Sequence, residues 1–177
     1  MMRKRCFSLI CFALCLLSPH AQARESTQAA FSPSGDAIAL IERTIGKAEH
    51  SVDVAAYSFT SQKVANALIE AHERGVEVRV LLDKGQGKRH YRAIKELQDA
   101  GIPIRINSHY AIMHDKYLII DNKTVETGSF NYTASAEKRN AENVVVIKGN
   151  KKLAGEFIDN WQRLWDGGEE YTPDKQK

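Results

Sequence analysis

The chain of 177 residues predicts a single layered α/β domain, because short β-branched runs alternate with amphipathic helical patterns along most of its length. Strand-like runs fall at 51–59, 76–83, 102–106, 116–120 and 142–147, and helix-like spacings separate most of them. In chain order, Ile38, Ile41 and Ile45 share one side of a helix over Gly35–Ala48. Val64, Leu68 and Ile69 do so over Ser61–Arg74, and a short helix is expected over Tyr91–Ala100. Gly46, Gly75 and Gly101 stand where these helices should stop. A last helix, Lys151–Trp165, carries Leu153, Phe157, Trp161, Leu164 and Trp165 at helical spacing, read as a core-facing stripe. Residues 24–27 and the tail after Asp166 are read as loose.

The first 23 residues carry Arg3, Lys4 and Arg5, an apolar run from Cys6 to Leu17, and Ala21-Gln22-Ala23, the pattern of a cleaved secretory signal. All three cysteines, Cys6, Cys11 and Cys15, lie inside it, which leaves the remaining domain, 24–177, without a disulfide or a cysteine metal site. A periplasmic or secreted location is expected. The same three basic residues account for the formal excess of +3, so the rest of the chain is formally neutral and any affinity for polyanions must be local. One candidate is the stretch 84–95, with Lys84, Lys88, Arg89, Arg92 and Lys95 and no acidic residue. The alternative for such a run is a solvated face.

The most informative stretch is 114–131, H-D-K-Y-L-I-I-D-N-K-T-V-E-T-G-S-F-N. On an extended strand, side chains two apart share a face, so His114 and Lys116 project together while Asp115 and Tyr117 point away. A neutral imidazole can approach an anionic phosphodiester without charge repulsion, and a lysine ammonium draws the phosphate in. His114 is therefore the candidate nucleophile. Lys116, the Gly128 and Ser129 backbone amides, and the side chains of Ser129 and Asn131 are the candidate phosphate-binding groups. Asp121 completes the catalytic set by its place in the motif, but it follows the apolar run at an Asp-Asn turn, where a carboxylate commonly bonds nearby backbone. Glu142 opens the last apolar strand, where a carboxylate needs a reason to be. Pairing with His114 to fix its tautomer is one, and a solvated strand end is the other.

These residues resemble the H-x-K-x4-D-x6-G-S-x-N signature of the phospholipase D superfamily, with all six positions matched. A-Y-S-F-T at 56–60, V-E-T-G-S-F-N at 125–131 and N-A-E-N-V-V-V-I at 140–147 extend the resemblance to small bacterial Nuc-type endonucleases. It implies a single-domain fold with a mixed β-sheet flanked by helices. It also implies metal-independent hydrolysis in which one histidine attacks phosphorus and a second protonates the leaving oxygen, with no cofactor.

No second His-x-Lys pair exists, since His50, His72, His90 and His109 lack a lysine two residues on. A symmetric homodimer is therefore expected, bringing two copies of His114 to one phosphate; His109 and His90 are rival general acids within the chain. The favoured substrate is nucleic acid, DNA first and RNA second. A lipid phosphodiesterase is the first alternative, disfavoured because no amphipathic, Lys-flanked surface helix is evident, where an interfacial lipase would carry one or an exposed apolar loop, and because the flanks resemble the Nuc type; no stable membrane association is expected. A non-catalytic nucleic-acid-binding module is the other. A metal site is not expected, because the motif sets a cation beside its histidine.

Overall fold

The computed structural model describes residues 25–87 and 91–173. The signal-like segment 1–23, Lys88, Arg89 and His90 lie outside the described residues. In chain order the elements are β1 (Ser26–Ser32), α1 (Asp36–Ile45), β2 (Ser51–Ala56), α2 (Gln62–Glu73), β3 (Glu77–Asp83), α3 (Lys84–Gly87), α4 (Arg92–Asp99), β4 (Ile104–Asn107), β5 (Lys116–Ile120), β6 (Thr124–Gly128), α5 (Ala134–Lys138), β7 (Glu142–Lys148), α6 (Lys151–Asp166) and β8 (Glu169–Glu170).

The strands form one mixed sheet of eight in the order β1-β7-β6-β5-β2-β3-β4-β8. β2, β3 and β4 run parallel, as their helical crossovers require, and the other neighbours are antiparallel. The four main helices separate onto two faces. Ile38 and Ile41 of α1, Leu68 of α2, and Ile94 and Leu97 of α4 pack with Val52, Val54, Leu118 and Ile120 on one side. Trp161, Leu164 and Trp165 of α6 pack with Ala55, Leu81 and Ile119 on the other. With both faces covered, β2 is buried from Val52 to Ala56 without alternation.

The tryptophan stripe of α6 is core. Trp161 stacks on Trp165 at 4.8 Å and donates its indole N–H to Val54 O at 3.0 Å. Arg79 lies 4.4 Å over the Trp161 ring and forms a two-point ion pair with Asp53, at 2.7 and 2.9 Å. Burial nonetheless holds the Asp53 carboxyl above its ordinary range.

The four main helices and the five strand runs all occur where the sequence places them, with ends shifted by a few residues at most. The Ser61 hydroxyl caps α2, and Gly75 and Gly101 take the left-handed conformation after α2 and α4. The predicted strand over 51–59 ends at Ala56, one residue before the Tyr57 N–H makes a last bond in the same register to Asp115 O. Two strands reach into the segments read as loose, β1 from Ser26 and β8 after Asp166. β1 lies mostly exposed along the sheet edge against β7, and β8 is a two-residue pairing with β4. Neither carries an apolar alternation, since an edge strand in solvent is held chiefly by its ladder bonds. β6, α3 and α5 were likewise not assigned from the sequence.

Candidate active site

The antiparallel pairing of β5 with β2 sets Lys116 opposite Ala56, and β6 with β7 sets Gly128 opposite Val144. The first residues of β5 and β7 and the last of β2, β3 and β6 therefore meet at one edge of the sheet. His114 stands there, exposed, immediately before β5. Its neighbours are pinned on both sides. Asp83 accepts the Met113 N–H at 2.8 Å, and Tyr57 donates its N–H to Asp115 O at 2.9 Å. The Tyr57 ring lies 4.4 Å from the imidazole.

Lys116 folds back toward His114. Its Nζ is 3.1 Å from His114 Nδ1, donates to His114 O at 2.6 Å, and sits 5.0 Å from the Tyr57 ring centre. Burial lowers the Lys116 pKa from its ordinary value, with Asp115 and Glu142 opposing the shift. An ammonium can only donate, so while Lys116 is charged Nδ1 must be its acceptor.

Glu142 does not supply the expected pairing. Its Oε2 accepts the Ser129 hydroxyl at 2.5 Å and its Oε1 accepts the Asn140 amide at 2.9 Å. The position at Nδ1 is taken by the lysine two residues on, which the strand pleat brings closer than a residue two strands away. The Ser129 amide also departs from the expectation of a free phosphate donor, since it donates to Asn143 O at 3.2 Å. The Ser129 hydroxyl is bound further by the Asn143 amide, at 3.1 Å from the backbone nitrogen. Gly128 is demanded by this crowding, because a Cβ there would stand 2.2 Å from Asn143 O. Asn131 lines the same cleft, and its Oδ1 is buried without a hydrogen-bond partner.

Asp121 lies at the other end of β5, away from the cleft. Its carboxylate accepts the amides of Glu49, His50 and Ser51, the shortest bond being 2.7 Å to His50. Asp121 and Asn122 both have positive φ, 51° and 53°, as the turn into β6 requires. Burial pushes its pKa up, but the three amides and Lys123 outweigh that and hold it below the usual value. The expectation that Asp121 joins the catalytic set gives way to a structural role at the turn, because no strand can bring both of its ends to one phosphate.

Of the basic segment, Lys84 follows β3 at the cleft edge and donates to Tyr110 O at 3.0 Å, while Arg92 pairs with Glu96 at 2.7 Å. His109 lies in the exposed loop before Met113, with its ring against Tyr110, and does not line the cleft. Among the described residues, no group of three or more histidine, cysteine or acidic side chains is arranged to hold a metal ion.

The cleft encloses about 640 Å³ and has a second wall that strand parity did not anticipate. Tyr117 and, from α6, Glu156, Phe157 and Asn160 form it. Phe157 meets Tyr117 edge-on at 5.0 Å, and Asn160 donates to the Tyr117 hydroxyl at 2.9 Å. Phe157 belongs to the apolar stripe of α6, so its sequence signal was indistinguishable from core. Tyr57 was visible only within the A-Y-S-F-T segment.

An imidazole and an ammonium held together at one end of a mixed sheet, in the wall of a cleft, make a site suited to one anionic ester. Residues 41–165 match the family described as cardiolipin synthase, PLD-like domain. Phospholipase D of Rickettsia prowazekii is 43% identical over 138 residues, which cover 78% of this chain and 67% of that one. Mitochondrial cardiolipin hydrolase of Chlamydomonas reinhardtii is 34% identical over 122 residues, 69% of this chain and 54% of that one. Among solved structures, Nuc from Salmonella typhimurium, a phospholipase D family member, superposes with a TM-score of 0.80 at 41% identity, covering 84% of this chain and 99% of that one. NucT from Helicobacter pylori shares the fold, with a TM-score of 0.76 at 22% identity over 84% of this chain and 100% of that one. The chain belongs to the phospholipase D superfamily, on its Nuc-type branch, and is a phosphodiesterase of that superfamily.

Proposed function

We propose that this phosphodiesterase is an endonuclease that hydrolyses DNA, and secondarily RNA, without a metal, through a phosphohistidine formed on His114 in a site shared by two chains. The observation that carries this reading is the exposed His114 beside Lys116 at the mouth of the cleft. With Lys116 at Nδ1, the ring proton of a neutral imidazole sits on Nε2 and blocks attack from there. An incoming phosphate that draws Lys116 onto its own oxygens releases Nδ1, and the ring can then present Nε2 as a lone pair. Asn131 meets the phosphate from the facing side. Attack by Nε2 on phosphorus breaks the bond to the leaving alkoxide, which takes a proton from a second imidazole; water then attacks the phosphohistidine and returns His114.

Among the described residues His114 is the one histidine that lines the cleft, and the protonated partner is assigned to His114 of a second copy related by a two-fold axis. Export by the signal-like segment would place the enzyme in the periplasm or outside the cell.

A lipid phosphodiesterase is the second reading, favoured by one specific feature. The loop before His114 exposes Tyr110 and Ile112, 36% and 53% accessible, the kind of apolar loop an interfacial lipase would carry. Purified protein is to be incubated in parallel with plasmid DNA, RNA and phospholipid vesicles in excess chelator. Cleavage of the plasmid, abolished in His114→Ala, is the expected result. A strict need for magnesium, or turnover of vesicles alone, would overturn the proposal.

A further inference from the structure

The groups that handle phosphate occupy one wall of the cleft, and nothing in their chemistry calls for the other. That second wall is built with care. Glu156, Phe157 and Asn160 sit at successive positions of one face of α6, and Tyr117 reaches them from β5. Asn160 is locked from two sides, with its Nδ2 on the Tyr117 hydroxyl at 2.9 Å and its Oδ1 accepting from Arg163 at 2.5 Å. Each of these amide groups keeps one further bond to give, one donor on the nitrogen and one lone pair on the oxygen. Phe157 is half-buried, braced edge-on by Tyr117 and partly open to the cleft. Glu156 adds an exposed carboxylate, and the cation that joins this wall, Arg163, is held by Asn160 and the Tyr110 hydroxyl.

An aromatic ring, a fixed amide and a carboxylate acceptor describe a surface for a flat, uncharged heterocycle whose edge carries amino and carbonyl groups. We infer that this wall is a nucleobase subsite: the base of a nucleoside esterified to the scissile phosphate rests on Phe157, and Asn160 and Glu156 meet its polar edge. The inference rests on the nucleic-acid reading above and names which part of the substrate the cleft holds beyond the phosphate. An ethanolamine head group, whose ammonium would seek Glu156 and the face of Phe157 but has no flat edge for Asn160, is the competing occupant.

Binding can be measured without turnover, by titration calorimetry on the full chain. The probes are inorganic phosphate, the 3′- and 5′-monophosphates of deoxycytidine, thymidine 5′-monophosphate and phosphoethanolamine. At least one deoxycytidine monophosphate should bind about tenfold more tightly than inorganic phosphate, the scale of a base stacked on an aromatic ring. Phe157→Ala should reduce that ratio toward one, and Phe157→Tyr should restore it. Glu156→Gln, at an exposed position, should lower the preference for deoxycytidine over thymidine 5′-monophosphate, because only cytosine offers an amino group to the carboxylate. Equal affinities for nucleotides and phosphate, or a ratio untouched by these variants, would overturn the subsite. So would tighter binding of phosphoethanolamine that depends on Glu156. These readouts are separate from plasmid cleavage in chelator, so a failed nuclease and a failed subsite give different results.

Discussion

The carboxylate of Asp83, the last residue of β3, accepts the backbone N–H of Met113 at 2.8 Å and that of Gly85 at 2.7 Å, and so fixes the residue that precedes His114. Asp83 is 3% exposed. The position of His114 is thereby tied to a strand two places away in the sheet rather than to its own loop.

Asp83→Ala removes this anchor and leaves a buried amide without an acceptor, at a cost of about 1–3 kcal/mol. Displacement of His114 should lower kcat on a chromogenic phosphodiester at least tenfold with KM little changed, since misplacement of about 1 Å already costs two orders of magnitude in favourable cases. Asp83→Asn, which retains one acceptor oxygen, should recover part of the loss. Steady-state kinetics beside urea unfolding separates the two effects. A destabilised variant with an unchanged kcat would show that the contact serves the fold alone.

Gly128→Ala forces a methyl group to 2.2 Å from Asn143 O and 2.9 Å from the carbonyl carbon. Both are backbone atoms, so β6 and β7 must part there. A loss of about 1–3 kcal/mol is expected in chemical denaturation. Activity should fall as well, because the Ser129 bonds to Glu142 and Asn143 cross the same gap. Wild-type stability would mean that the strands shift freely.

Asp121→Ala removes the acceptor of three amides from a side chain only 2% exposed, and should cost about 2–4 kcal/mol at pH 7. Its folded pKa is depressed, so its contribution is present above the unfolded value of about 3.9 and is lost as pH falls through the lower folded value. Unfolding curves of wild type and variant should therefore converge in acid. The kcat of the folded variant should be close to wild type, in contrast to any reading of Asp121 as a catalytic group.

Glu126 is fully buried under the motif loop and accepts the Tyr132 hydroxyl at 2.7 Å. Burial pushes its carboxyl up to about 8. A raised folded pKa makes its contribution complete below the unfolded value of about 4.3 and lost as pH climbs through 8, at a slope approaching 1.4 kcal/mol per pH unit. Glu126→Gln keeps the hydrogen bond without the ionisation. Its stability should decline less than wild type between pH 5 and 8 in parallel urea titrations, and identical slopes would show that Glu126 is charged in the fold.

Much of the architecture was legible because helices such as Gln62–Glu73 announce themselves by apolar spacing and a capping serine. The illegible parts share one cause. β1 and β8 have no burial pattern of their own and exist through pairing with β7 and β4. In the site, strand parity placed His114 and Lys116 together but could not see α6 arriving over the sheet to bring Phe157 and Asn160 beside Tyr117. Nor could it tell that Glu142 would be claimed by Ser129 and Asn140.

By itself, the order of residues from His114 to Asn131 determined the chemistry, because the types and offsets that suit a phosphodiester are local properties of one strand, one turn and one loop. Only the tertiary structure decided which of them work together. Strand pairing carried Asp121 to the far end of β5 and Asp83 to the near one, and helix packing set the second wall of the cleft, since contacts between distant segments depend on register and burial that no local pattern encodes.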